Sequence, residues 1–414
     1  MAGTDVDVAV VGAGLAGLAT AVDLTAANLT VVVFERGDRP GGRVATDRVD
    51  GFTLDRGFQV LNTSYPQVVR RLDLDALEPR SFSPGALVRY GHGLHRVADP
   101  RRSPGYLSST LFSELLPWRS KVALAAYLAE VAVMPASRLR EREETTAAEA
   151  LRRRGLDGPP TERFLRPFLS GVLGEDGLET SSRFVDLVLR SFLRGRTVVP
   201  ATGMSAIPEQ LAARLPDGTV RYGTTVEQVG RGQVHHAGGT TRARAVVVAT
   251  DPTGAGRLLP SMPVPAMRAL TTCYHAAPVP PLAEPTLVLD AEERVVANSV
   301  VLTAAAPSYS PDERALVATS VLGPDRDGPP IREDVVRRRL AFLYGVPTDD
   351  WEHLRTVVVT HALPAATPPL GDLRRTVDLG DGMFVTGDHR DTPSIQGALA
   401  SGTRTARAVL RSLA

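Results

Sequence analysis

Three glycines near the amino terminus have the clearest chemical purpose: Gly12, Gly14 and Gly17, in the run Gly12-Ala13-Gly14-Leu15-Ala16-Gly17. An apolar run from Asp7 to Val11 precedes them, a helical pattern from Leu18 to Ala27 follows, and a second apolar run from Thr30 to Phe34 ends at Glu35. The order predicted is strand, glycine turn, helix, strand. In that context Gly12 makes the tight turn, Gly14 lets the backbone approach a pyrophosphate, and Gly17 lets the helix pack closely on the strand. Phosphate would then rest on the first turn of the helix, at Leu15, Ala16 and Gly17, where unbonded N–H groups and the helix dipole favour negative charge. Glu35, 18 positions past Gly17, stands where a carboxylate accepts hydrogen bonds from ribose hydroxyls, which argues against a 2′-phosphate.

The continuation Arg36-Gly37-Asp38-Arg39-Pro40-Gly41-Gly42-Arg43 resembles the Gly-Gly-Arg extension of FAD enzymes in the flavin amine oxidase and phytoene desaturase superfamily. That resemblance implies FAD as the cofactor, with Arg36, Gly41, Gly42 and Arg43 added to its binding set. Gly41 and Gly42 can turn bare N–H groups toward phosphate, and Arg43 can offer it a fork of donors. The segment Asp50 to Gln59 is similar to the stretch that passes beside the isoalloxazine ring in the family, which implies that Gly57, Phe58 and Gln59 face the flavin. A plain hairpin turning at Asp50-Gly51 is compatible with this.

The resemblance spans the chain. Gly203-Met204-Ser205 and a helix from Ala206 to Leu215 look like the family's re-entry into the cofactor domain. The alternating stretch Thr219 to Val229 implies backbone contacts to adenine at Val226, and Val246 to Ala249 reads as a buried strand completing the sheet. Near the carboxyl terminus, Gly382 to Asp388 and Pro393-Ser394-Ile395-Gln396 resemble the closing motif. There Gly387 and Asp388 would meet the pyrophosphate and ribityl chain, while Ser394, Ile395 and Gln396 open a helix under the flavin's pyrimidine edge, where its positive end stabilises an anionic reduced ring.

These segments imply an α/β fold. A discontinuous Rossmann-like FAD-binding domain is expected from residues 1–72, 201–259 and 371–414, with a second, α+β substrate-binding domain from 73–200 and 260–370. In the second domain, helices are predicted over Trp118 to Met134, Glu144 to Arg154 and Ser181 to Leu193, and antiparallel strands over Thr286 to Leu289, Val295 to Leu302 and Ala315 to Leu322. Pro278 to Pro285 reads as a rigid edge or loop.

Composition bounds the partners. The 414 residues carry 47 Lys plus Arg against 46 Asp plus Glu, so no global field exists to hold a nucleic acid. With 43% apolar residues the chain reads as a soluble, folded protein. The single cysteine, Cys273, excludes an intramolecular disulfide and a thiolate metal cage, and no histidine spacing suggests a metal. The amino terminus lacks a basic region and cleavage site, which suggests a cytoplasmic protein. The apolar run Val122 to Pro135 is too short to span a bilayer; a buried helix of the second domain is the favoured reading, and a helix that rests in a membrane interface or roofs an apolar pocket the alternative. Oligomeric state is not readable.

The implied chemistry is transfer of a hydride from a substrate carbon to flavin N5, for which the protein needs to position a C–H bond and offers no nucleophile. Members that oxidise amines typically add a lysine beside N5 and an aromatic pair around the amine. The only lysine here, Lys121, lies in an apolar helical run, and Thr360 to Pro369 has no aromatic residue to stack on a cation. The expectation is therefore a dehydrogenase or desaturase acting on a small, hydrophobic or natural-product-like molecule. The alternatives are an amine or amino-acid oxidase releasing hydrogen peroxide, and a non-redox isomerase. No catalytic residue is assigned. His275 and His389 are the histidines whose placement could bring them near the flavin, and Phe164 and Phe168 read as helix core rather than pocket lining.

Overall fold

The computed structural model describes residues 4–99, 101–106, 113–323 and 331–414. Its first sheet is built around the buried strand Val6–Val11, flanked in parallel by Val31–Phe34 on one side and by the second half of Gly239–Val248 on the other. Val220–Arg221 extends it beyond Val31–Phe34, and Met383–Val385 beyond Gly239–Val248, again in parallel. Such a sheet needs cover on both faces. The helices Leu15–Ala26 and Ile395–Leu413 lie against each other over one face, and the antiparallel ribbon of Val226–Gly230, Gln233–His236 and the first half of Gly239–Val248 projects from the other side. The stretch predicted to alternate from Thr219 to Val229 breaks into two short strands because Gly223 takes a left-handed turn at φ 64°.

The second sheet has seven strands in the order Glu352–Pro364, Met267–Ala277, Ala315–Leu322, Asn298–Val301, Leu287–Asp290, Gly85–Tyr90 and Gly93–Ala98. All neighbours are antiparallel except Leu287–Asp290 against Gly85–Tyr90, so strands from either side of a long helical insertion share one sheet. Its pleat sends Cys273, Val288, Val317 and Val321 to a core with the helix Glu333–Tyr344. Alternate residues, Tyr274, Val300 and Ala318, go to the core shared with the first sheet. The strand predicted from Val295 stops at Val301 because Leu302 opens a helical turn.

The insertion forms a helical roof from Trp118–Val133, Ala136–Glu141, Ala147–Arg153, Arg166–Leu173 and Ser182–Arg194. Thr146 caps the third of these by accepting the Glu149 N–H. Trp118–Val133 is not the buried helix that was favoured: Trp118, Val122 and Val133 are 64%, 53% and 81% exposed, because only its Leu124, Tyr127 and Val131 side faces the core. No helix among the described residues is long and apolar enough to cross a membrane. Before Arg166–Leu173 the chain makes a π-helical turn at Thr161–Leu165. Pro167 explains it, since proline supplies no N–H and its ring crowds the carbonyl four residues back.

Asp55 ties these parts together. At the end of the predicted hairpin, whose turn is made by Asp50 and Gly51 at φ 49° and 84°, its buried carboxylate accepts from Thr46 Oγ1 at 2.5 Å, the Met204 N–H at 2.9 Å and Tyr309 Oη at 3.1 Å. Burial pushes its pKa up to about 6 despite those three donors. An acid whose folded pKa lies above its unfolded value of 3.8 binds its proton more tightly when folded. Stability from this group is therefore greatest below pH 4 and declines as the pH rises to about 6, by ~3 kcal/mol in all. In Asp55→Asn, whose amide can donate to the Tyr309 hydroxyl, that part of the decline is expected to vanish from melting temperatures recorded between pH 4 and 7; an unchanged slope would assign it to another group.

Candidate active site

The glycine turn has the geometry a dinucleotide needs. Gly12 sits at φ 110°, and a Cβ there would lie 2.9 Å from the Ala249 carbonyl oxygen. A Cβ on Gly17 would lie 2.0 Å from the Gly12 carbonyl oxygen, so this glycine serves packing and does not line the cavity. Gly14 differs: a Cβ there meets only the Gly41 oxygen at 4.0 Å, so it borders open space. The Gly-Gly-Arg loop is stitched beside it, with the Gly41 N–H donating to the Ala13 carbonyl at 2.8 Å and Gly14 bridging Gly41 in parallel. Gly42 lies at φ 62° and a Cβ there would point to Gly14 Cα at 3.8 Å. The helix starting at Leu15 has neither a capping side chain nor an acid in its first turn, which leaves its end open to an anion. Glu35 accepts the N–H groups of Ala13 and Gly37, each at 2.8 Å, and each oxygen keeps a lone pair for a ribose hydroxyl. The exposed Arg36 stands at the rim.

Arg43 has a different geometry from the expected phosphate fork. One guanidinium nitrogen donates to Asp388 Oδ1 at 2.7 Å and the other to the Ala362 carbonyl at 2.9 Å. Burial opposes its charge, but the Asp388 carboxylate more than compensates and raises the pKa. The arginine thus braces the glycine loop, the carboxyl-terminal motif and the second sheet, because its two donor ends are already committed. Gln59 Nε2 donates to the Arg43 carbonyl at 2.7 Å, and the Phe58 N–H to Thr272 Oγ1 at 3.2 Å. Gly57, Phe58, Gln59, Val226, Gly387, Asp388, Ser394 and Ile395 all border the same cavity. Ser394 caps its helix by accepting the Gly397 N–H. Gln396 turns away, its side-chain carbonyl accepting the Gln67 N–H at 2.9 Å.

That cavity measures about 1590 Å³, more than the roughly 300–1,000 Å³ of an ordinary small-molecule site. It runs from the glycine cradle into a chamber under the helical roof. The chamber wall carries Leu124, Leu128, Leu189, Val172 and Leu287. Phe164 and Phe168, expected in a helix core, line it too: Phe164 stacks on Phe168 at 6.0 Å, and Phe168 meets the edge of Phe192 at 5.3 Å. The π turn displaces this helix face, which helical periodicity does not reveal.

Charged groups are sparse there. Asp99 is the only carboxylate that the described part of the substrate lobe adds to the cavity wall, and Arg101 holds it at 2.7 Å. The other lining acids, Glu35, Asp38, Glu227, Asp251 and Asp388, lie beside the cradle segments. Lys121 does reach the cavity wall, with its ammonium donating to the Ser113 carbonyl at 2.6 Å and its pKa lowered by burial.

Neither His275 nor His389 borders the cavity. His275 points to the opposite face of its sheet, bonded to Glu333 at 2.9 Å, because the pleat alternates. His389 is buried, and burial lowers its pKa to about 4, so it stays neutral. His361 lines the cavity instead. Asp251 was also missed; its sequence signature, an acid before Pro252, marks the helix cap it makes to Thr253 and Gly254, while its place on the cavity wall follows from the fold. No grouping of three or more His, Cys, Asp or Glu side chains suited to a metal occurs among the described residues.

Residues 15–410 match the family model described as flavin containing amine oxidoreductase. Over 301 residues the chain is 29% identical to putrescine oxidase from Kocuria rosea, across 63% of this chain and 60% of that enzyme. It is 40% identical over 92 residues to phytoene dehydrogenase from Streptomyces griseus, across 21% of this chain and 18% of the relative. The matched stretches thus span less than two thirds of either relative. Among solved structures, cyclohexylamine oxidase from Brevibacterium oxydans IH-35A superposes with a TM-score of 0.72 at 19% identity, covering 99% of both chains; the fold is shared.

The glycines separate binding from folding. In Gly14→Ala the backbone, at φ −72°, accepts a side chain and the new methyl enters the cradle, so apoprotein melting should move little while the dissociation constant for FAD rises at least tenfold. Gly17→Ala, with its 2.0 Å clash, should instead destabilise the fold by about 3 kcal/mol or more. Equal FAD affinity in Gly14→Ala and wild type, by titration of the flavin absorbance, would show that phosphate does not approach there.

Proposed function

The chain belongs to the flavin-containing amine oxidoreductase family, and from that premise we propose that it is a dehydrogenase or desaturase removing hydride from a C–H bond of an apolar, natural-product-like molecule. It is an FAD-dependent oxidoreductase. We assign residues 1–72, 201–259 and 371–414 to the flavin-binding unit and 73–200 and 260–370 to the substrate-binding unit. The first contributes the parallel sheet and the second the seven-stranded sheet, which supports the division.

The residues present fit the cofactor. Gly14, Gly42 and the open helix end beyond Leu15 would hold its pyrophosphate, Glu35 a ribose, Val226 the adenine side, and Asp388 the ribityl hydroxyls. Gly57, Phe58, Gln59 and Ile395 would border the flavin. Bound FAD would supply the acceptor for a hydride, one proton with two electrons, from substrate carbon. The chain's own contribution is placement and exclusion of water: the Phe164–Phe168 stack, Phe192 and the leucines of the roof press an apolar molecule toward the seven-stranded sheet.

One observation carries this reading. The chamber is walled largely by aliphatic and aromatic side chains, and the one carboxylate that the described residues of the substrate lobe add to it is held by arginine, so among the described residues of that lobe no acid stands ready for an ammonium group. The 29% identity with a putrescine oxidase favours a second reading, amine oxidation. The two are separated by mixing FAD-loaded protein anaerobically with carotenoids and terpenoids, hydroxylated as well as plain hydrocarbon, and, separately, with putrescine and cyclohexylamine. Loss of the flavin absorbance with the carotenoids or terpenoids is expected, at a rate that falls at least tenfold in Phe168→Ala. Bleaching by the amines alone would overturn the reading, as would substrate turnover without net electron transfer.

A further inference from the structure

The apolar chamber contains polar groups that the protein itself does not satisfy. Asn298 is 4% exposed, and its Oδ1 is buried without a hydrogen-bond partner. Its Nδ2 lies against Gly171, where a Cβ would come within 2.0 Å, so the roof helix is shaped to admit this carboxamide. Directly across the strand pairing stands Ser320, also 4% exposed and lining the cavity; no described residue bonds its hydroxyl. Ser320 is paired in turn with Thr272, whose Oγ1 takes the Phe58 N–H at 3.2 Å. The three side chains form one row across adjacent strands on the cavity face, and two strand spacings put Asn298 roughly 10 Å from Thr272.

Position in the row explains why these groups are not structural. Their neighbours on the opposite face are fully bonded: Ser299 meets both Thr319 and Tyr344, at 3.0 and 2.9 Å. A buried amide oxygen without a partner costs stability, and leucine at 298 and alanine at 320 would fill the same places in an apolar wall. The orphaned atom is an acceptor, so the pair is complementary to a hydroxyl group, whose O–H can donate to Asn298 Oδ1 while its oxygen accepts from the Ser320 hydroxyl. A carboxylate or phosphate finds no cation among these residues.

We propose that Asn298 and Ser320 form a hydrogen-bonding subsite for a hydroxyl group of the substrate, which fixes an otherwise apolar molecule in one register relative to the flavin end of the chamber, marked by Thr272 and Phe58. The proposal rests on the chamber being the substrate site and narrows the substrate class to hydroxylated apolar molecules.

The test uses FAD-loaded enzyme and two probes matched in shape, 1-(2-naphthyl)ethanol and 2-ethylnaphthalene, titrated by calorimetry against wild type, Asn298→Leu and Ser320→Ala. Wild type should bind the alcohol at least tenfold more tightly than the hydrocarbon, since a site built around a polar group discriminates against an analogue lacking it. The preference should fall to within twofold in Asn298→Leu and weaken in Ser320→Ala, with hydrocarbon affinity unchanged. Asn298→Leu should also melt about 1–3 °C higher, because it removes an orphaned polar group. Equal affinities in wild type, failure of both probes to bind, or a preference that survives both variants would overturn the subsite. So would a lower melting temperature in Asn298→Leu at full flavin content. Should Asn298→Leu not fold, Ser320→Ala decides alone. A protein that cannot be loaded with FAD would defeat the functional reading itself, which is scored separately from the flavin content.

Discussion

The bond between Arg43 and Asp388 is the contact on which the site depends. It joins the loop after the first strand pair to a motif 345 positions later, and through the Ala362 carbonyl it engages the seven-stranded sheet as well. Three pieces of chain remote in sequence are thereby held around one cavity. Such a pair is costly to bury, and its geometry matters more than its net energy. Asp388 is paired with Arg43 at the cavity wall, and the neighbouring His389 is left neutral by burial.

The two sheets divide the remaining work. The parallel sheet is covered on its faces and ends in glycine turns, so its strand ends carry bare backbone donors. The seven-stranded sheet uses its pleat: one face packs on Glu333–Tyr344, and the other alternately enters the common core and lines the chamber. That alternation takes His275 out of reach of the cavity and brings Thr272, one strand neighbour of Ser320, into it. The helical roof closes the chamber with the face that Pro167 and the π turn displace.

The backbone chemistry of this protein was legible in its sequence because it is local. Gly12, Gly14 and Gly17 between two apolar runs, Glu35 after the second, and Asp50-Gly51 as a hairpin turn are each read within a few residues, and the structure places them accordingly. The Gly-Gly-Arg and Gly-Asp motifs were recognisable by resemblance. Less local matters came out otherwise. Arg43 spans to Asp388 and Ala362 where phosphate was expected, Gln396 bonds Gln67, and Phe164 and Phe168 line the chamber although their spacing is also that of a packed helix.

The sequence by itself therefore determined the glycine-turn chemistry, the α/β class, and FAD as cofactor through a resemblance to a family, because those depend on φ angles, helix ends and alternation within short spans. Only the tertiary structure decided which polar side chains share the cavity. Asn298, Ser320, His361 and Lys121 come from separate elements, and strand order and the pleat fix their neighbours. Whether a side chain faces solvent, core or cavity is a property of the packed sheet and roof, and no spacing along the chain encodes it.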